Sequence, residues 1–126
     1  MTVVRPLDDF PLEPIGAARG ASRQVLLGPD TGSTFHTRRF VMTAGGGMPP
    51  HTNSVEHQQV VLRGEAAVGI GDEIHRVTAG TVVHIPAGVP HWYRVESEEP
   101  FEFLCMIPSG EDRVEILSPD IPAAEG

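Results

Sequence analysis

Fourteen glycines and twelve prolines are spread along 126 residues and cut the chain into short runs rich in Val, Ile, Phe and Thr. Such punctuation leaves little room for helices, because no apolar period of 3.6 residues is sustained while β-branched residues recur between the breaks. Strands are expected at residues 23–27, 34–43, 57–63, 65–70, 73–77, 82–86, 91–95, 101–107 and 114–117. The breaks between them include 28–32, 45–47, 71–72, 79–80 and 86–90. Short strands at this even spacing predict an all-β, antiparallel sandwich or closed barrel. The length suits one domain, assigned to residues 21–118, with residues 1–20 as an extended arm containing Pro6, Pro11 and Pro14 and residues 119–126 as a frayed tail.

Composition removes several classes of function. Cys105 is the only cysteine, so disulfide scaffolds, zinc ribbons and iron–sulfur clusters are excluded. The formal charge is −8 and all nine basic residues are arginine. That balance argues against nucleic acid or an anionic membrane as partner, and the absence of lysine excludes Schiff-base and P-loop lysine chemistry. No apolar run approaches a membrane span, and residues 1–10 lack the apolar core of a secretory leader, so a soluble cytoplasmic protein is expected. The acids Glu96, Glu98, Glu99, Glu102, Glu111, Asp112 and Glu115 read as a solvated face.

Two glycine-to-histidine segments carry the chemistry. The first runs Gly45-Gly-Gly-Met-Pro-Pro-His51-Thr-Asn53-Ser-Val-Glu56-His57-Gln-Gln59 and ends at Gly64. On a strand, residues two apart share a face, which pairs His51 with Asn53 and His57 with Gln59 and Val61. The second runs from Gly80 through Pro86-Ala-Gly88 to His91, with Tyr93 and Val95 sharing the face of His91.

These segments resemble the two motifs of the cupin superfamily: Gly45 and His51 are separated by five residues, His57 and Gly64 by six, Gly80 and Pro86 by five, Gly88 and His91 by two. The resemblance implies an antiparallel double-stranded β-helix, or jelly-roll, barrel with one divalent metal ion held inside by His51, His57 and His91. Two positions depart from the pattern: Asn53 stands where a second histidine is usual, and His57 where a glutamate is usual. The run Glu56-His57 is similar to a subgroup of small cupins with an all-histidine site. Asn53 is a weak hard donor that would coordinate poorly, bind a metal-bound water, or leave that position open. Nitrogen donors suit Fe, Ni, Cu or Zn, with Mn admitted by family analogy. Neutral donors leave the ion its full charge, which favours a small anionic chelating substrate. Family habit also implies a homodimer.

Alternation places Phe40, Met42, Gln59, Val61, Tyr93, Val95, Phe101, Phe103, Cys105 and Ile107 inside the barrel, with Gln59 and Tyr93 as candidate catalytic handles. Glu102 is expected to face out, Cys105 to behave as a small hydrophobe, and Trp92 to pack outside. His36, His75 and His84 are assigned to the surface or to packing; Arg38, Arg39 and Arg63 offer binding for a substrate carboxylate, but solvent or ion pairs are the favoured reading for arginines on strands. Three functions compete. Dioxygen activation on a chelated substrate is named first. Lewis-acid lyase or isomerase chemistry is second, because it needs a general base and no carboxylate is placed inside, Glu56 facing the turn. A non-catalytic binding module is third.

Overall fold

A computed structural model describes residues 2–124; residue 1 of the arm and residues 125 and 126 of the tail lie outside it. Ten strands account for nearly all regular structure: β1 (Glu13–Pro14), β2 (Arg19–Leu27), β3 (Phe35–Asn53), β4 (His57–Arg63), β5 (Glu65–Ile70), β6 (Glu73–Thr78), β7 (Val82–Ile85), β8 (His91–Val95), β9 (Phe101–Pro108) and β10 (Val114–Ile116). They form one curled antiparallel sheet in the order β6-β5-β8-β3-β9-β4-β7, with β2 and β10 also on β3 and β1 on β2. The all-β barrel expected from the sequence is what forms.

The expected break at 45–47 is where the structure differs most. β3 runs through it as 19 residues. Glycine explains how: Gly45 and Gly47 have φ of +77° and +157°, values open to glycine, and across this bend β3 changes partner. Residues up to Met42 pair with β9, and residues from Gly47 pair with β8. At Gly47 an added Cβ would strike the carbonyl oxygen of Tyr93, so the missing side chain also lets β8 approach. β2 begins at Arg19, four residues earlier than expected, because β3 supplies it with partners, Gly47 for Arg19 and Met42 for Ala21; the arm pairs with it further on. Glu13 and Pro14 pair with Arg23 and Ser22, and the buried Gln24 amide donates to the carbonyls of Leu7 at 2.8 Å and Phe10 at 2.9 Å.

The core fills the curl with the residues that alternation assigned to it, Met42, Val61, Phe101, Phe103, Cys105 and Ile107 among them. Its aromatic spine is a stack in which Phe40 lies 4.9 Å from Phe103 and Phe103 5.2 Å from Tyr93. Trp92, of opposite parity, packs its indole where a side chain on Gly69 would otherwise stand. Among the described residues no helix is long and apolar enough to cross a membrane.

Gly64, at the turn from β4 to β5, has φ of +81°, and a Cβ there would meet the Pro100 carbonyl oxygen and, at 2.8 Å, the Phe101 Cα. Neither neighbour is a flexible side chain. Gly64→Ala is therefore expected to lose about 2–4 kcal/mol of stability from left-handed backbone strain and overpacking. Gly16→Ala, with nothing within 4 Å of the new methyl, is expected to stay within about 0.5 kcal/mol of the parent. Urea denaturation of both variants measures the difference.

Candidate functional site

The register of three strands builds one wall. Because β9 lies between β3 and β4, Arg38 pairs with Cys105 and Cys105 with Gln59, forming one inward row, while Phe40, Phe103 and Val61 form the next. The opposite wall is the far half of β3 against β8, where His51 pairs with His91 and Met48 with Tyr93. The Pro86–Gly88 turn delivers His91 to that register. Between the walls lies a cavity of about 20 Å³ lined by His51, His57, His91, Gln59 and Tyr93 with Phe40, Met48 and Phe103, room for roughly one water molecule. The structure thus brings together every site residue expected from the sequence, with Asn53 buried at the end of the same strand.

The three imidazoles fall into two kinds. His51 Nδ1 donates to the Pro49 carbonyl at 2.8 Å, and His91 Nδ1 to the Val89 carbonyl at 3.0 Å. A carbonyl only accepts, so in the neutral rings the proton sits on Nδ1 and the lone pair on Nε2. The rings are neighbours, 4.1 Å between centroids. His57 is the reverse: its Nε2 donates to Asp112 Oδ2 at 3.0 Å, and its Nδ1 lies 3.3 Å from Cys105 Sγ, whose thiol hydrogen it accepts.

Asp112 is the residue that sequence reasoning missed. It was assigned to a solvated acidic face, yet it stands just before β10, which docks antiparallel along His51–Asn53 and carries the carboxylate into the site. One oxygen accepts Asn53 Nδ2 at 3.0 Å as well as His57; the other accepts the Ser54 backbone N–H at 3.1 Å. Its charge raises the pKa of all three histidines, though burial outweighs it in each. No carboxylate lines the cavity, but Asp112 reaches the ring of His57 from its edge, while Glu56 turns outward to an exposed ion pair with His84 at 2.8 Å.

Burial also sets the other protonation states. His91, 2% exposed, is pushed down to about 3 by desolvation and then by the neighbouring His51. His51 is lowered by burial; His57 is lowered by burial and then by the Arg38 charge. Tyr93 is raised by burial, so its phenol keeps its proton. Gln59, expected to need water, metal or ligand as partner, instead donates Nε2–H to the Tyr93 oxygen at 2.7 Å. That leaves the phenol O–H as a donor to the cavity. Cys105 is raised by burial, partly offset by the charge and hydrogen bond of Arg38.

Arg38 is a second correction. Solvent or an ion pair was favoured for it over a substrate carboxylate, but its side chain points inward with Phe40, and its Nη2 donates to Cys105 Sγ at 3.4 Å. Arg39, one residue on and outward, makes the expected pair with Glu102 and covers it.

Metal-ligand chemistry was tested against these contacts. His51 and His91 fit it well: each has a neutral ring with Nδ1 held by a backbone carbonyl, the arrangement that aims a ligating Nε2. Asn53 Oδ1 is buried without a hydrogen-bond partner, so a donor or cation would satisfy it. His57 would join only after surrendering its Nε2 proton, and as they stand no three His, Cys, Asp or Glu side chains among the described residues are placed to hold one metal ion.

The cupin domain model matches residues 38–107, more than half of the chain. The protein belongs to the cupin family. Among solved structures it is similar to a cupin 2 domain-containing protein from Halorhodospira halophila, 31% identical with a TM-score of 0.72, over 79% of this chain and 71% of that one. It shares its fold with the polyketide cyclase RemF from Streptomyces resistomycificus, 24% identical with a TM-score of 0.86, over 94% and 87% of the two chains. A 1-methylthio-D-xylulose 5-phosphate methylsulfurylase from Rhodospirillum rubrum is 28% identical over 98 residues, which are 78% of this chain and 62% of that relative's length.

Acid should destabilise the metal-free protein through the buried imidazoles. The unfolded chain protonates His91 near 6.5 whereas the folded chain resists until about 3, so the stability tied to this residue is whole above pH 6.5 and is lost as pH falls toward 3. His51 and His57 act with the same sign. In EDTA-treated protein, urea denaturation is expected to show stability falling from pH 7 to pH 4.5. His91→Gln should flatten that slope by up to about 1.4 kcal/mol per pH unit, and an unchanged slope would contradict the assignment of His91 as a neutral buried ring.

Proposed function

We propose that this cupin is an enzyme acting on a small anionic carbonyl compound, with proton transfer next to the carbonyl as its chemistry, in the manner of a lyase, isomerase or cyclase. The observation that carries the reading is the part-buried Asp112 carboxylate on His57. Lewis-acid chemistry lacked only a general base in the sequence, and Asp112 supplies one. Of the three relatives, the two whose names give an activity are a cyclase and a methylsulfurylase, which supports placing the dioxygenase reading second.

In this reading His51 and His91 hold a divalent transition metal through Nε2, with His57 as third donor and Asn53 Oδ1 as a weak fourth. When bound, such an ion would polarise a substrate carbonyl and lower the cost of removing the adjacent proton. The protein's own groups divide the remaining work. With a metal bound, the His57 Nε2 proton would leave through Asp112 to solvent, so that the carboxylate, held by Ser54 N–H and Asn53 Nδ2, is ionised again and stands as the acceptor for a substrate proton at the same edge of the site. Tyr93, its lone pair engaged by Gln59, presents O–H to the oxygen on which charge develops. Phe40, Phe103 and Met48 exclude water.

The test pairs metal content with proton exchange. His51→Ala and His91→Ala are expected to abolish stoichiometric metal, and His57→Ala likewise, while Asn53→Ala lowers it modestly. Asp112→Asn should keep metal yet slow the deuterium exchange of small keto acids in D₂O by about a hundredfold. Stoichiometric oxygen uptake with catechols or diketones, unaffected in Asp112→Asn, would overturn the proposal and restore the dioxygenase reading.

A further inference from the structure

The barrel interior contains a cation without an anion. Arg38 is 8% exposed. Arg39, Arg63, Arg76 and Arg94 each reach a glutamate, but Arg38 has no carboxylate partner among the described residues. The contrast with Arg39 is direct. In Arg39 the Nε and Nη2 edge of the guanidinium, the edge that binds a carboxylate side-on, closes on Glu102. In Arg38 the same edge carries only a thiol: Nη2 donates to Cys105 Sγ at 3.4 Å, and Nε is buried with no acceptor at all.

A thiol is a poor acceptor for a charged donor, and an uncompensated buried charge is strongly unfavourable. The guanidinium lies one layer behind the cavity lining, its carbon 5.1 Å from the ring of Phe40, which lines the cavity together with Gln59, the row neighbour of Cys105. We propose that the Nε–Nη2 edge of Arg38 is an anion subsite of the barrel interior that takes the carboxylate of a small organic acid. A planar carboxylate satisfies both N–H groups at once, and admitting one requires the cavity of about 20 Å³ beyond Phe40 to widen. This names the anionic group of the substrate proposed above and rests on that reading for the site, but not on the metal or the reaction.

The experiment follows the orphan N–H itself. In ¹⁵N-labelled protein the Arg38 Nε–H resonance, identified as the signal lost in Arg38→Gln, is titrated with sodium formate and sodium acetate at constant ionic strength, with and without EDTA, and with sodium chloride as the control. The expected result is a saturable formate-dependent shift that persists in EDTA, is absent with chloride, and is accompanied by thermal stabilisation of the parent protein. Apparent formate affinity should fall at least tenfold in Arg38→Gln. A resonance unmoved by 100 mM formate, an equal response to chloride, or an undiminished affinity in Arg38→Gln overturns the assignment. If that variant does not fold, Arg38→Lys supplies the assignment and the parent titration decides. Loss of the shift on EDTA treatment also overturns it, by placing the anion on the metal. Failure of the proton-exchange test with this shift intact would remove the proposed reaction and leave the subsite standing.

Discussion

Everything at the site is referenced to one strand. β3 is hydrogen-bonded to β2, β8, β9 and β10, so the two walls of the interior share a backbone and cannot slide independently. A single-residue slip against β9 would turn Arg38, Phe40 and Met42 outward together, and a slip against β8 would separate His51 from His91. The glycine bend at 45–47 allows this, since a flat strand of 19 residues could not wrap around a core. The long strand therefore sets distance across the cavity as well as direction within it.

The three histidines share a cavity but not a tautomer, and the difference traces to what the backbone offers each ring. His51 and His91 both find a carbonyl two residues back, at Pro49 and Val89. Proline removes the N–H of residues 50 and 90 from competition, which helps keep those turns in the shape that presents the carbonyls. His57 begins its strand without such a carbonyl and takes its orientation from Asp112 and Cys105 instead. A ring oriented by a carboxylate and a thiol can exchange its proton with either neighbour; rings oriented by carbonyls cannot.

Strand positions and the inward faces were legible because both follow from local rules. The ranges of β4, β5 and β8 coincide with those expected, and His51, His57, His91, Gln59 and Tyr93 all face the cavity because their parity follows from their strands. Asp112 was not legible. It lies outside any strand and reaches Asn53 and His57 across 59 and 55 residues of chain, a contact set by the docking of β10 that no periodicity encodes. Arg38 was legible in principle, since it shares parity with Phe40 and Met42. Its charge outweighed its position in that judgement, and an arginine on an inward row was itself the signal of an interior electrostatic demand.

Asp112 and Arg38 have opposite charge and stand on opposite sides of the His57–Cys105 pair. Arg38 lowers the proton affinity of His57 and Asp112 raises it, so the ring sits in a field directed from one to the other. In the proposed reading, an anionic substrate would be oriented by that field with its carboxylate toward Arg38 and its reacting carbon toward the carboxylate of Asp112. The same field moves a released proton toward Asp112 and away from the guanidinium. A site built only from the three neutral histidines would lack this polarity, and would bind an anion without distinguishing its two ends.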